Sequence, residues 1–403
     1  MVIHKRIQAD YFVSMMCIMA YFIPRYLEYT TFVNIGILGT LIAGLKAASY
    51  LLVLVWLFIR AVRGRKCPLL FLLVITAVLG YFTYQAGIKK HNTLFIVLLF
   101  SLVLDERYFD RYLTVILRSS VVLYVLTLLA SAGGLIENVT TSRNKFGSVW
   151  VAGGNGFGYS GQMIMMLIPI VFMYYYKHDG RIRWWDHLLW VAVSALVYYR
   201  CKTIMGFALI LLFIVLYAAV SCSSAWMDRV MQSFLVRVSA VIFCGVSLLL
   251  IILYNKGLSI GTTLDVVVNG RLSVASRVIQ RYGIRLLGTG FVNNVIDDNY
   301  EILDSEYVHM LVSGGIVYLL IVLAVCVCIM RLAQKRGRTL TLIWLMIFFN
   351  AVFNNGIFGL VMNPFSILLV PALRSGLRSG LFRRKIRIRR HAAADEQRRI
   401  ERV

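Results

Sequence analysis

The sequence predicts an all-α, polytopic membrane protein of about 12 transmembrane helices, with a large external loop carrying an amphipathic helix. Three observations predict it. Sixty per cent of the 403 residues are hydrophobic and the mean hydropathy is +0.78, more apolar surface than a soluble fold hides. Apolar runs of membrane-crossing length recur along the chain. Basic clusters fall at nearly every second connection between those runs, the bias that marks cytoplasmic loops.

A span needs about 20 mainly apolar residues. Spans are expected at 9–27, 34–60, 68–87, 91–105, 111–133, 157–176, 184–200, 203–221, 236–255, 306–330, 339–354 and 356–373. No cleavage pattern precedes the first run, so it is expected to remain as a helix. The second contains Lys46. Splitting it there would put Arg60, Arg63, Arg65 and Lys66 outside, so one long tilted helix is expected. Both termini are then cytoplasmic, and the inner loops hold Lys177–Arg183, Asp228–Arg237 and Arg331–Arg338. Helices 1–9 fill 1–255, the external loop 256–305, helices 10–12 fill 306–373, and a basic cytoplasmic tail 374–403.

The net charge is +24, from 42 basic and 18 acidic residues, and most of the cations flank apolar runs. That places them as topology anchors and contacts for membrane lipids, and argues against nucleic acid as a partner. The seven cysteines show no metal spacing or disulfide framework, and no metal or cofactor is expected. The two halves show no similarity, which counts against transporters built from repeated halves.

Four cationic groups break the inside bias: Lys89-Lys90-His91, Arg143-Asn144-Lys145, Arg200-Cys201-Lys202 and the loop 256–306. In that loop Arg277, Arg281 and Arg285 recur every four residues, one helical stripe with Leu272, Val278, Ile279 and Tyr282 on an apolar side. With Arg271 they suit the oxygens of a diphosphate; an interfacial helix gripping anionic head groups is the plainer alternative. Leu287-Gly288-Thr289-Gly290 reads as a turn, or more sharply as an anion-binding nest. Asp297 and Asp298 read as a solvated acidic loop. Asp304 and Glu306, followed by Tyr307, sit where the chain re-enters the membrane, a place for a general base. Arg200 and Lys202 are boundary cations or phosphate contacts. Asn155, amid the glycines of 153–158, suggests an irregular approach that lines a cavity. Asn350 and Asn354 fit interhelical hydrogen bonding, and His309 a satisfied helix contact.

Gly154-Asn155-Gly156-Phe157-Gly158, Cys201-Lys202-Thr203-Ile204-Met205-Gly206, and the segment from Asn269-Gly270-Arg271 through Leu287–Gly290 and Asp304–Tyr307 to Gly314-Gly315-Ile316 occur in an order that resembles the O-antigen and capsular polysaccharide polymerase family (Wzy-type). O-antigen ligases are more distantly similar. The resemblance covers roughly 143–320 and departs at two positions. Lys202 stands where an arginine is usual, and Asp304 stands where ligases place a histidine, which speaks against a ligase. The resemblance implies a GT-C-like fold and an inverting, metal-independent glycosyltransferase without cofactors. It would join undecaprenyl-pyrophosphate-linked oligosaccharide repeats on the outer face of the bacterial cytoplasmic membrane, with room for a chain-length regulator protein as partner. Asp304 or Glu306 would serve as base. Arg271, Arg277, Arg281 and Arg285, with Lys202, Arg200 or Arg143, would hold the diphosphate, and Asn155, Gly288, Gly290 and Tyr307 would line the substrate site. A flippase or exporter of lipid-linked oligosaccharide, an O-antigen ligase-type transferase and a non-catalytic lipid scaffold are the competing functions.

Overall fold

The computed structural model describes residues 2–63, 81, 84, 93–145, 148–222, 225–268, 270–296, 299–356, 358–373 and 375. The expected span 68–87 apart from Tyr81 and Tyr84, Arg65, Lys66, the Lys89-Lys90-His91 cluster, Asn269, Asp297, Asp298, Arg374 and the tail from 376 lie outside the described residues.

In chain order the helices are α1 (Val2–Leu27), α2 (Gly36–Arg63), α3 (Thr93–Val103) and α4 (Phe109–Ala132), then α5 (Ser160–Lys177), α6 (Trp184–Cys201) and α7 (Ile204–Ser221). After them come α8 (Ala225–Met231), α9 (Phe234–Arg237), α10 (Ser239–Asn255), α11 (Ser259–Val267) and α12 (Arg271–Tyr282). Then come α13 (Glu306–His309), α14 (Ile316–Arg336) and α15 (Arg338–Asn350), followed by a short helix from Pro364. Two antiparallel hairpins interrupt the helices: β1 (Thr140–Lys145) with β2 (Ser148–Gly153), and β3 (Asn294–Ile296) with β4 (Asn299–Glu301).

Among the described residues, four helices are long and apolar enough to cross a membrane: Gly36–Leu57, Glu106–Ala132, Ile204–Ser221 and Ile316–Arg336. A fifth is counted if Ala225–Arg237 and Ser239–Asn255, bent by 60°, form one span. The protein is thus helical and membrane-associated, but the described residues do not present 12 regular spans. The segment around Lys46 is one unbroken helix, as the charge argument requires.

Three expected spans depart from a regular helix. The segment 306–330 starts with α13, passes through a five-residue π turn at Met310–Gly314 and breaks at Gly315, whose φ is +92°. The segment 339–354 stops at Asn350 after 13 helical residues. The segment 356–373 is a turn followed by a short helix from Pro364. Asn354-Asn355-Gly356 and Asn363-Pro364 favour turns. Their surroundings are buried protein, where irregular backbone is tolerated at membrane depth.

Two helices are wrapped on all sides. Residues 160–173 of α5 are buried throughout, as is nearly all of α15, with Trp344 fully enclosed. A helix without a polar face belongs at the centre of a bundle, and α5 packs on α4, α6, α7 and α15. One end of this bundle is tied by polar contacts. Arg336 pairs with Glu106, Arg338 with Asp228, Gln334 Nε2 donates to the carbonyls of Met231 (2.9 Å) and Ser233 (3.1 Å), and the Tyr176 hydroxyl donates to Asp110 (3.0 Å). The loops expected inside, 177–183, 228–237 and 331–338, gather at that end. The opposite end holds the start of α5, the end of α15 and the segment 256–306.

Candidate functional site

At that opposite end lies a cavity of about 770 Å³, within the usual size of a small-molecule site. Distant segments build it. Tyr29 comes from the turn after α1; Tyr159, Gly161, Gln162 and Met165 from the start of α5; Thr203 from the α6–α7 link. Arg271 opens α12, Asn293, Ile302 and Asp304 come from the extended chain beyond it, and Asn354, Asn355 and Gly356 from the turn after α15. Arg271 and Asp304 are the charged residues of this wall among the described residues; hydroxyl and amide groups make up most of its polar remainder.

Arg271 is positioned by the way α12 begins. Asp265 Oδ1 accepts the backbone N–H groups of Leu272 (2.8 Å) and Ser273 (3.0 Å), satisfying donors left free at a helix start. Buried Leu272, Ala275, Ser276 and Val278 then seat α12 against α10. From that first position Arg271 Nε donates to Asp304 Oδ2 at 2.9 Å, and its Nη1 donates to the carbonyl of Phe353. Both charged side chains stay partly open, at 23% and 26% exposure.

The stripe resolves differently from expectation. Helix α12 forms over the predicted apolar side, but Gly283 ends it at φ +71° and ψ 177°, so Arg285 lies outside the helix. Arg277 and Arg281 are exposed on the face opposite Leu272, Ala275 and Val278, and Arg281 lies against the Tyr282 ring at 5.6 Å. Among the described residues the cavity wall takes Arg271 and none of the other three.

Glu306 is 1% exposed. Its carboxylate accepts the Gly356 N–H, while its own N–H donates to the Ala351 carbonyl (2.9 Å). It therefore grips both ends of the 351–356 turn. Leu303 adds to the grip, its carbonyl accepting Asn355 Nδ2 at 2.7 Å and its N–H donating to Asn293 Oδ1 at 2.9 Å. Tyr307 is fully buried, with its hydroxyl donating to the Phe348 carbonyl (3.0 Å), and faces the bundle core. His309 lies edge-on to Phe291.

The glycine run is a clasp rather than an anion nest. Its N–H groups are used on backbone carbonyls: Gly288 on Arg285, Thr289 on Val312 (2.9 Å) and Gly290 on Ser313 (3.3 Å). The first N–H groups of α14 return the contact, Ile316 to Arg285 and Val317 to Leu286, both at 3.1 Å. Gly288 sits at φ +81°, so close to the π turn that a Cβ there would lie 2.1 Å from the Ser313 oxygen. This clasp holds the break ahead of α14 in shape.

Lys202 caps α6 in the left-handed region at φ +51°, with Nζ 4.1 Å from the centre of the Tyr199 ring, while its neighbour Thr203 reaches the cavity. Arg200 is exposed, and Arg143 lies in β1 opposite Trp150. Asn155, at φ +47°, donates from Nδ2 to the Gly153 carbonyl (3.4 Å), and its N–H reaches Asn138 (2.8 Å). It shapes the wall from behind, since the next residues bond Thr31 and Tyr29. Asn354 donates to Asn350 Oδ1 at 2.6 Å within its own turn, not across helices.

Sequence reasoning missed Tyr29, Gln162, Asn293 and Asn355, and read Thr203 only as part of a motif. Gln162 is 4% exposed and its Nε2 lacks a partner among the described residues, a buried donor at the wall of a cavity. The signal available was Gln162 amid an otherwise apolar span and the Asn354-Asn355-Gly356 turn. Among the described residues, histidine, cysteine, aspartate and glutamate do not gather in a group of three that would hold a metal ion. A comparison with known protein families, curated proteins and solved structures gave no match.

Proposed function

We propose that this cavity is the active site of a polysaccharide polymerase. It would be an inverting, metal-independent glycosyltransferase that joins undecaprenyl-pyrophosphate-linked oligosaccharide repeats on the outer face of the bacterial cytoplasmic membrane. One observation carries the reading: two of the three segments of the family resemblance, and the residues directly after the other, meet at one cavity though far apart in sequence. Tyr159–Met165 follows the first, Thr203 belongs to the second, and Arg271 with Asp304 belongs to the third. The position of the basic loops at the far end supports an outward-facing cavity.

The chemistry follows from the charged pair. An acceptor hydroxyl attacks the anomeric carbon of the donor; the bond to the diphosphate breaks, and its electrons leave with the diphosphate. Asp304 takes the hydroxyl proton. As Asp304 is neutralised, the charge of Arg271 loses its partner, at the moment negative charge grows on the departing oxygens. Tyrosine, glutamine and asparagine side chains suit the hydroxyl groups of a glycan. Purified protein in liposomes, supplied with lipid-linked repeats, is the test. Lengthened glycans support a polymerase; translocation of unchanged substrate would instead establish a flippase. Neither result would leave a scaffold.

A further inference from the structure

The α1–α2 pair holds a second charged group that the reaction does not use. Glu28, just beyond α1, accepts hydrogen bonds from both Arg25 and Lys46. Lys46 lies near the middle of the candidate span Gly36–Leu57, about 15 Å along it from Gly36. Lys46 shares its face of that helix with buried Ile42, Ser49 and Val53, while exposed Ile37, Leu41 and Leu52 lie on the other side, so the group sits on the packed face of α2 against α1. Ionisable side chains at such depth are costly and mark ligand paths. Two cations share one carboxylate here, which leaves one positive charge over. All three side chains remain reachable, at 37% exposure for Arg25, 30% for Lys46 and 17% for Glu28. Arg25 also touches the cavity wall, since its Nη2 donates to the Tyr29 hydroxyl at 3.2 Å and its guanidinium carbon stands 5.0 Å from the ring centre.

We infer that Arg25 and Lys46 form a second anion site, which receives the phosphate head of a lipid-linked ligand at the edge of the cavity, with Glu28 as the resident counter-ion that the head group displaces. The inference rests on the cavity reading for its purpose and for the lipid-linked source of the phosphate; its binding chemistry rests on the two cations that share Glu28.

Binding to the wild-type protein in nanodiscs tests this, with undecaprenyl diphosphate, undecaprenol and inorganic pyrophosphate as probes. Undecaprenyl diphosphate should bind best, and Lys46→Met should weaken it about tenfold or more, the worth of one charge-assisted hydrogen bond, while Lys46→Arg retains it. Glu28→Gln should strengthen binding, because the competing carboxylate is gone; a structural lock would lose stability with no gain in affinity. Unchanged affinity in Lys46→Met, or weaker binding in Glu28→Gln, would overturn the site. Equal binding of inorganic pyrophosphate would overturn the lipid source. If Lys46→Met does not fold, Lys46→Arg and Glu28→Gln still decide the matter. Turnover is read separately: polymer formation with unchanged binding in these variants defeats this inference alone, and intact binding without polymer defeats the polymerase reading alone.

Discussion

Arg271 donates its Nε–H to Asp304 Oδ2 over 2.9 Å, joining the first residue of α12 to the strand-like chain that leads back into the bundle. The cation and the carboxylate are thus one unit on the cavity wall. Removing Arg271 removes both the partner of Asp304 and the charge available to a departing diphosphate. Arg271→Ala should lower polymer formation by about a hundred- to thousandfold, as loss of one preplaced oxyanion donor does. Arg277→Ala and Arg281→Ala, on the exposed face, should stay within about twofold. Glycan length distributions from the three variants give the comparison, and a large loss confined to Arg277 or Arg281 would move the site away from the cavity.

The carboxylate half of the pair makes a different demand. Asp304→Asn keeps an acceptor for Arg271 but cannot take a proton. Turnover should fall about a hundredfold, with affinity for the lipid-linked repeat retained. Single-turnover rates alongside equilibrium binding would separate the two effects. Unchanged turnover would show that the base lies elsewhere.

Glu306 is the control for that argument. Its carboxylate accepts the Gly356 N–H inside the protein, and a carboxamide oxygen can accept the same bond. Glu306→Gln should therefore keep most activity, whereas Glu306→Ala leaves the part-buried Gly356 N–H without this acceptor, at a cost of about 1 kcal/mol. Thermal unfolding in detergent, measured with polymer formation, tells a positioning residue from a base. A dead but stably folded Glu306→Gln would make Glu306 the proton acceptor.

Local patterns made part of this architecture legible. Charge balance alone required α2 to be continuous across Lys46, and the spacing of Leu272, Val278 and Tyr282 was enough for α12. Spacing also put Arg277 and Arg281 on one face, but not on which side of the helix the cavity would lie. That depended on α10 and on the 351–356 turn, which no local pattern reports. Asp304 and Arg271 carry charge and stand out in a sequence. Tyr29, Gln162 and Asn355 are neutral and come from remote segments, so only the fold reveals them as neighbours. The N–H groups of Thr289 and Gly290 looked available because their acceptors, Val312 and Ser313, belong to a π turn that sequence reasoning read as helix.

The clasp gives a stability expectation. Gly288 combines a left-handed backbone with contact against Ser313 and Gly314, whereas Gly257, at φ +66°, has open space where a Cβ would go. Gly257→Ala should cost only the backbone strain, about 1–2 kcal/mol. Gly288→Ala must also push the π turn away, so its Tm should fall clearly further. Equal losses in Tm would show that the clasp yields without resistance.

Sidedness can be tested on the whole protein. Arg336–Glu106 and Arg338–Asp228 tie one end of the bundle, and exposed Cys222 lies near it, following Val220, whose carbonyl accepts from Arg338. Exposed Arg281 belongs to the other end. In a variant keeping Cys222 as its sole native cysteine, Arg281→Cys should react with a membrane-impermeant maleimide added to intact cells. Cys222 should react only after the membrane is opened. The proposed reaction needs its lipid-linked substrates on the outer side, so labelling of Cys222 from outside with protection of Arg281→Cys would reverse the orientation and remove the cavity from its substrate.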